Sequence, residues 1–112
     1  MRYTFYGATS FNQPLNDWDV SSVQDFRSMF SYAAAFNQDL SAWDVSSGAV
    51  FYGVFKSAES FNQALNNWDM SSATDISFMF EDAINFNQDL NILTNHNKFN
   101  IIDNTVGIIY LG

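Results

Sequence analysis

Apolar residues in this chain recur at two superimposed spacings, a long period of 25 residues and, inside it, short steps of two, three and four. Phe11, Phe36, Phe61 and Phe86 each open the tripeptide Phe-Asn-Gln, and Leu15, Leu40, Leu65 and Leu90 follow at a constant offset. Trp18, Trp43 and Trp68 come next, each followed by an aspartate, and later in the period Phe5, Phe30, Phe55 and Phe80 precede Ala8, Ala33, Ala58 and Ala83. A fixed period without insertions marks an array of units, each too small to bury its own apolar face and therefore dependent on its neighbours.

Within one unit the short steps predict the elements. Leu15, Trp18, Val20 and Val23 fill the apolar frame of a leucine-rich repeat, and the alternation around Trp18 and Val20 predicts a very short strand with Asp17 and Asp19 outward. Ser22 and Asp25 resemble a capping box, after which Phe26, Met29, Phe30 and Ala33 fall at i, i+3, i+4 and i+7, the spacing of a helix of about three turns. The expected fold is therefore an α/β solenoid, a leucine-rich-repeat-like stack with one short parallel strand and one helix per 25-residue unit. It would occupy residues 1–90 as a partial unit 1–10, units 11–35, 36–60 and 61–85, and the start of a fourth at 86. Gly48, Val50 and Gly53 stand where the first unit has Val23, Asp25 and Ser28. On this reading the second helix is the weakest, since glycine is a poor helix former. Residues 91–112 form a degenerate last unit or a C-terminal cap, with Asp103-Asn104 as a turn between apolar segments.

Aromatic content changes the picture of the interior: twelve Phe, five Tyr and three Trp stand against six Leu, so rings must fill it. Each buried ring removes roughly 150–250 Å² from water. The Phe-Asn-Gln amides are expected to satisfy backbone groups at the corners of the stack, with a ligand-binding amide ladder as the alternative. Twelve acids against four bases give a net charge of −8, which repels a phosphate backbone and argues against nucleic acid as a partner. There is no cysteine, no apolar run long enough to span a membrane, no secretory signal pattern at the N-terminus and no Asn-x-Ser/Thr sequon.

The run Met29-Phe30-x-x-Ala33-x-x-Phe36-Asn37-Gln38-x-Leu40-x-x-Trp43-Asp44-Val45-Ser46 resembles the BspA-like leucine-rich-repeat surface-protein family, met also as a repeated domain of unknown function in mycoplasma-type surface lipoproteins. The resemblance covers about residues 1 to 90. It implies an extracellular or surface-displayed module used for adhesion or protein contact.

Catalysis needs a constellation that this chain does not offer. His96 is the single histidine and lies in the degenerate tail, and there is no phosphate loop or zincin spacing. The expectation is a non-enzyme. Asp19, Asp44 and Asp69 form a column of carboxylates, with Asp17 beside the first. The first reading is that each holds a turn by accepting a backbone hydrogen bond two residues on, and the second is a site for a hard cation such as Ca²⁺. Tyr32, Tyr52 and Phe78 are aromatic residues outside the apolar frame and are candidates for a protein contact. Ile108, Ile109 and Tyr110 lie in an apolar, β-prone tail able to recruit another chain. The leading expectation is a non-catalytic protein-interaction module. The alternative is a structural subunit docking through open ends of the stack, at Phe5 and Ala8 on one side and beneath Leu90 and Leu93 on the other, with self-association as its mark. An ice-binding surface is excluded because the five threonines never share a repeat position.

Overall fold

Between Phe26 and Phe36 the backbone turns three times instead of coiling. In the computed structural model, which describes residues 1–89, the amides of Met29, Ala33 and Phe36 donate to the carbonyls of Phe26, Phe30 and Ala33, each three residues back. The third residues of the first two turns, Ser28 and Tyr32, have φ of 51° and 61°, the left-handed backbone that a type II turn requires there. The same pair of positions recurs in every unit, as Gly53 and Ser57, as Phe78 and Asp82, and as Tyr3 and Gly7. A right-handed helix cannot contain a left-handed residue every fourth position.

The α/β solenoid expected from the sequence is therefore corrected. Among the described residues there is no helix, and the extended pairing consists of the isolated parallel bridges Asp25 to Val50 and Val50 to Asp75. The expected strand at Trp18 and Val20 is replaced by two more turns, Leu15 to Trp18 and Val20 to Val23. Spacing misled for a physical reason. Both ends of a β-turn can point inward, so consecutive turns place apolar residues three and four apart, as one face of a helix does. The expected weakness of the second unit falls with its helix: Gly53 sits at φ 61° where the first unit strains a serine.

Turns leave alternate amides unpaired, and the neighbouring unit takes them. Phe26, Ser28, Phe30 and Tyr32 donate to the carbonyls of Val50, Tyr52, Val54 and Lys56, while between them Met29 and Ser31 donate to carbonyls three residues back and Arg27 to the Asp25 carboxylate. Phe51, Gly53, Phe55 and Ser57 repeat the pattern onto Asp75, Ser77, Met79 and Glu81. Buried backbone groups must find partners, so one unit cannot fold without the next. Buried Ser31 completes the account by donating its hydroxyl to the Gly53 carbonyl.

The ladder puts equivalent side chains one above another. Phe5, Phe30, Phe55 and Phe80 form a ring column with centroids 5.5, 5.6 and 5.5 Å apart. Phe11, Phe36, Phe61 and Phe86 form a second at 5.9, 6.0 and 6.0 Å. The two columns touch face to face at 4.0 to 4.2 Å, each ring of the first meeting the ring six residues on. Offset ring stacking adds about 0.5–1.5 kcal/mol per pair to the area term. Gly48 makes room for a further ring pair, Phe26 on Phe51 at 5.1 Å: a Cβ there would lie 2.5 Å from the Phe51 ring. Where Ile76 replaces that phenylalanine, the equivalent position is Ala73.

Candidate functional site

Three sets of side chains line the outside of the stack, and the repeat itself separates them. The aspartate column is the first. Asp19 Oδ1 accepts from the Ser21 amide at 3.0 Å and its hydroxyl at 2.6 Å, and Asp44 Oδ1 accepts from the same two groups of Ser46 at the same distances. Asp69 Oδ1 accepts from the Ser71 amide at 2.9 Å. The serine hydroxyl, followed by the serine amide, holds the Asp19 and Asp44 carboxyls below their ordinary range, while Asp69 and Asp19 push Asp44 back upward. These are Asx-turns, leading into a further turn and not into a helix. Asp17 is exposed beside them. Among the described residues no group of three or more histidine, cysteine or acidic side chains is placed to hold a metal ion.

The amide ladder is the second set. Asn12, Asn37 and Asn62 each accept, through Oδ1, the amide of the asparagine one unit on at 2.9 Å, and Gln38, Gln63 and Gln88 donate to the same oxygens. Every acceptor is committed to the next unit, so this edge is a clamp between units.

The third set is where the copies disagree. Four positions of the double turn read Arg2, Arg27, Tyr52, Ser77; Tyr3, Ser28, Gly53, Phe78; Tyr6, Ser31, Lys56, Glu81; and Gly7, Tyr32, Ser57, Asp82. Ser28, Ser31 and Gly53 are buried among their neighbours, and the other members of the set are half-buried or exposed. Tyr3, Tyr6 and Tyr32 run edge to face at 5.7 and 5.5 Å and are about half exposed. Exposed Phe78 meets Tyr52 at 5.5 Å.

Of the four basic residues, Arg2, Arg27 and Lys56 are described, and all three lie on this face. Arg2 pairs with Asp25 at 3.6 Å. Arg27 and Lys56 instead lie over the rings of Tyr52 and Phe78, at 5.9 and 5.8 Å, and the Arg27 Nε is enclosed without a hydrogen-bond partner among the described residues. In a chain with eight more acids than bases that choice is unexpected. Beside the double turn a groove of about 410 Å³ crosses four units, lined by Thr9, Tyr32, Ala34, Ser57, Glu59, Asp82 and Ile84.

Tyr32, Tyr52 and Phe78 thus stand on one face, as two ring clusters. Sequence reasoning passed over Tyr3, Tyr6, Arg27 and Lys56, although the signal was present: they occupy positions at which repeat copies differ. His96, Ile108, Ile109, Tyr110 and the cap at 91–112 lie outside the described residues. No described helix is long and apolar enough to cross a membrane.

The chain belongs to the family described as Mycoplasma protein of unknown function, DUF285, whose model matches residues 1–103. No curated protein and no solved structure matches the chain.

Proposed function

We propose that this protein is a non-catalytic, surface-displayed interaction module that contacts another protein through its double-turn face. One observation carries the reading. Side chains that build the stack repeat from unit to unit, whereas the double-turn face is irregular, aromatic and home to every described cation. Aromatic and arginine side chains are enriched in interfaces and depleted elsewhere on surfaces. Arg27 and Lys56 rest on rings and not on carboxylates, which places two cations on this face without an acidic partner among the described residues. Surface display is supported by the family's mycoplasma membership and by the likeness of the repeat to BspA-like surface proteins.

A photo-crosslinking amino acid placed at Tyr52, compared with one at Asn62 on the amide edge, tests the proposal. Incubated with surface extracts of cells, the Tyr52 variant is expected to yield discrete protein adducts and the Asn62 variant none. Equal labelling from both positions, or none from either, would overturn the reading.

A further inference from the structure

The groove beside the double turn has features that identify its occupant. Its lining comes from four successive units, so it runs along the stack and suits an extended chain. Tyr32, still 42% exposed, and exposed Ile84 provide apolar surface. Glu59 and Asp82, contributed by adjacent units, provide carboxylates, and neither makes a hydrogen bond or ion pair through its side chain with any described residue. Lys56 is close in sequence to both Ser57 and Glu59, yet it lies over Phe78 at 5.8 Å and leaves these acids unneutralised. No basic residue lines the groove.

We infer that the groove binds an extended, basic segment of a protein partner, its cationic side chains reaching Glu59 and Asp82 and one lying against Tyr32. The inference rests on the proposed protein-interaction role and names the partner's chemistry. Three arguments favour a basic peptide. The net charge of −8 attracts a cationic segment from a distance and repels an anionic one. Arginine forms paired hydrogen bonds with a carboxylate and stacks on tyrosine, so one residue type satisfies both kinds of lining. Alternate side chains of an extended chain are about 6.6 Å apart, close to the 5.5 to 6.0 Å step between stacked rings of adjacent units. A peptide with a base at every second position therefore presents about one charge per unit.

The probe is a blocked peptide of about eight residues, alternating arginine and serine and long enough to span the groove when extended, with a matched peptide carrying glutamine for arginine. Calorimetry at physiological salt compares the unaltered protein with two variants of equal net charge. One carries Glu59→Gln and Asp82→Asn in the groove, where asparagine tolerates the φ of 58° at position 82. The other carries Asp19→Asn and Asp44→Asn in the aspartate column, neither of which lines the groove. The groove pair should weaken binding on the order of tenfold or more, and the column pair by no more than about twofold, because salt screens distant charges. Tyr32→Asn should weaken it several-fold without loss of the fold, since it too suits a left-handed position.

Equal weakening by both pairs would reduce the effect to general attraction and overturn the inference. Equal affinity for the glutamine peptide would overturn it as well, while leaving the interaction role intact. No binding of the arginine peptide together with adducts at Tyr52 would sink the basic-segment assignment alone, and no binding with no adducts would sink both.

Discussion

The indole Nε1 of Trp43 donates to the backbone carbonyl of Leu15 at 2.9 Å, across the boundary between two units, and Trp68 makes the same bond to Leu40 at 3.0 Å. Each tryptophan therefore ties its own unit to the carbonyl at the start of a turn in the unit before. The two indoles lie nearly parallel, 6.4 Å apart.

Trp43 is 3% exposed, so its loss removes ring packing and one of the two hydrogen bonds that the Leu15 carbonyl accepts, the other coming from the Trp18 amide. Trp43→Ala should destabilise by about 3–5 kcal/mol, and Trp43→Phe, which keeps most of the ring packing, by about 0.5–1.5 kcal/mol for the lost hydrogen bond. Trp18, at 41% exposure, should tolerate Phe with a change of at most about 0.5 kcal/mol. Urea unfolding of the three variants supplies the comparison, and a Trp43→Ala protein as stable as its parent would refute the stacking register.

Gly53 separates turns from helices by the sign of one substitution. At φ 61°, with its missing Cβ directed to within 3.2 Å of the Ser28 hydroxyl, Gly53→Ala should destabilise by about 1 kcal/mol or more. An interior helical glycine would gain roughly 0.5–1 kcal/mol from the same change. Ser57→Gly, relieving φ 55°, should leave stability unchanged or raise it. Thermal melts of the two variants give the signs, and a stabilised Gly53→Ala would count against the double turn.

Asn37 sits in the middle of the amide ladder, accepting from the Asn62 amide and from Gln63. Asn37→Asp keeps an acceptor oxygen, whereas Asn37→Ala leaves that amide to water. The alanine variant should therefore lose about 0.5–1.5 kcal/mol and the aspartate variant less. The order of their melting temperatures at neutral pH tests this; the reverse order would show that added negative charge outweighs the bond.

Acid should loosen the Asx-turns, and the sign follows from linkage. The Asp19, Asp39 and Asp44 carboxyls are held below their ordinary 3.8 by bonds from the serine two residues on. Their contribution is complete above 3.8, where both folded and unfolded chains are ionised. It declines as pH falls below 3.8, because the unfolded chain protonates first, and it is lost once pH passes below the folded values. Asp44→Asn cannot titrate, so its melting temperature should fall less steeply between pH 4 and the acid limit than that of the parent. Parallel acid profiles for the two proteins would remove Asp44 from that role.

Much of the molecule follows from the order of residues. The period of 25, most residues that reach the core (Trp18, with no full unit before it, is 41% exposed) and the bonding of the Asx-turns and Phe-Asn-Gln corners follow from chemistry that repeats at a fixed interval, and repetition survives any choice of secondary structure. The choice between helix and consecutive turns does not follow. Phe26, Met29, Phe30 and Ala33 point inward at the same spacing in either case, and the deciding angles sit largely on serine, tyrosine, phenylalanine and aspartate, which announce no left-handed backbone. That choice belongs to the stack: the amides a turn leaves over are matched by carbonyls one unit away, and only the assembled neighbours supply them. The irregular face has the same origin, since Arg27 and Tyr52, or Lys56 and Phe78, become neighbours only when units 25 residues apart are laid one on another.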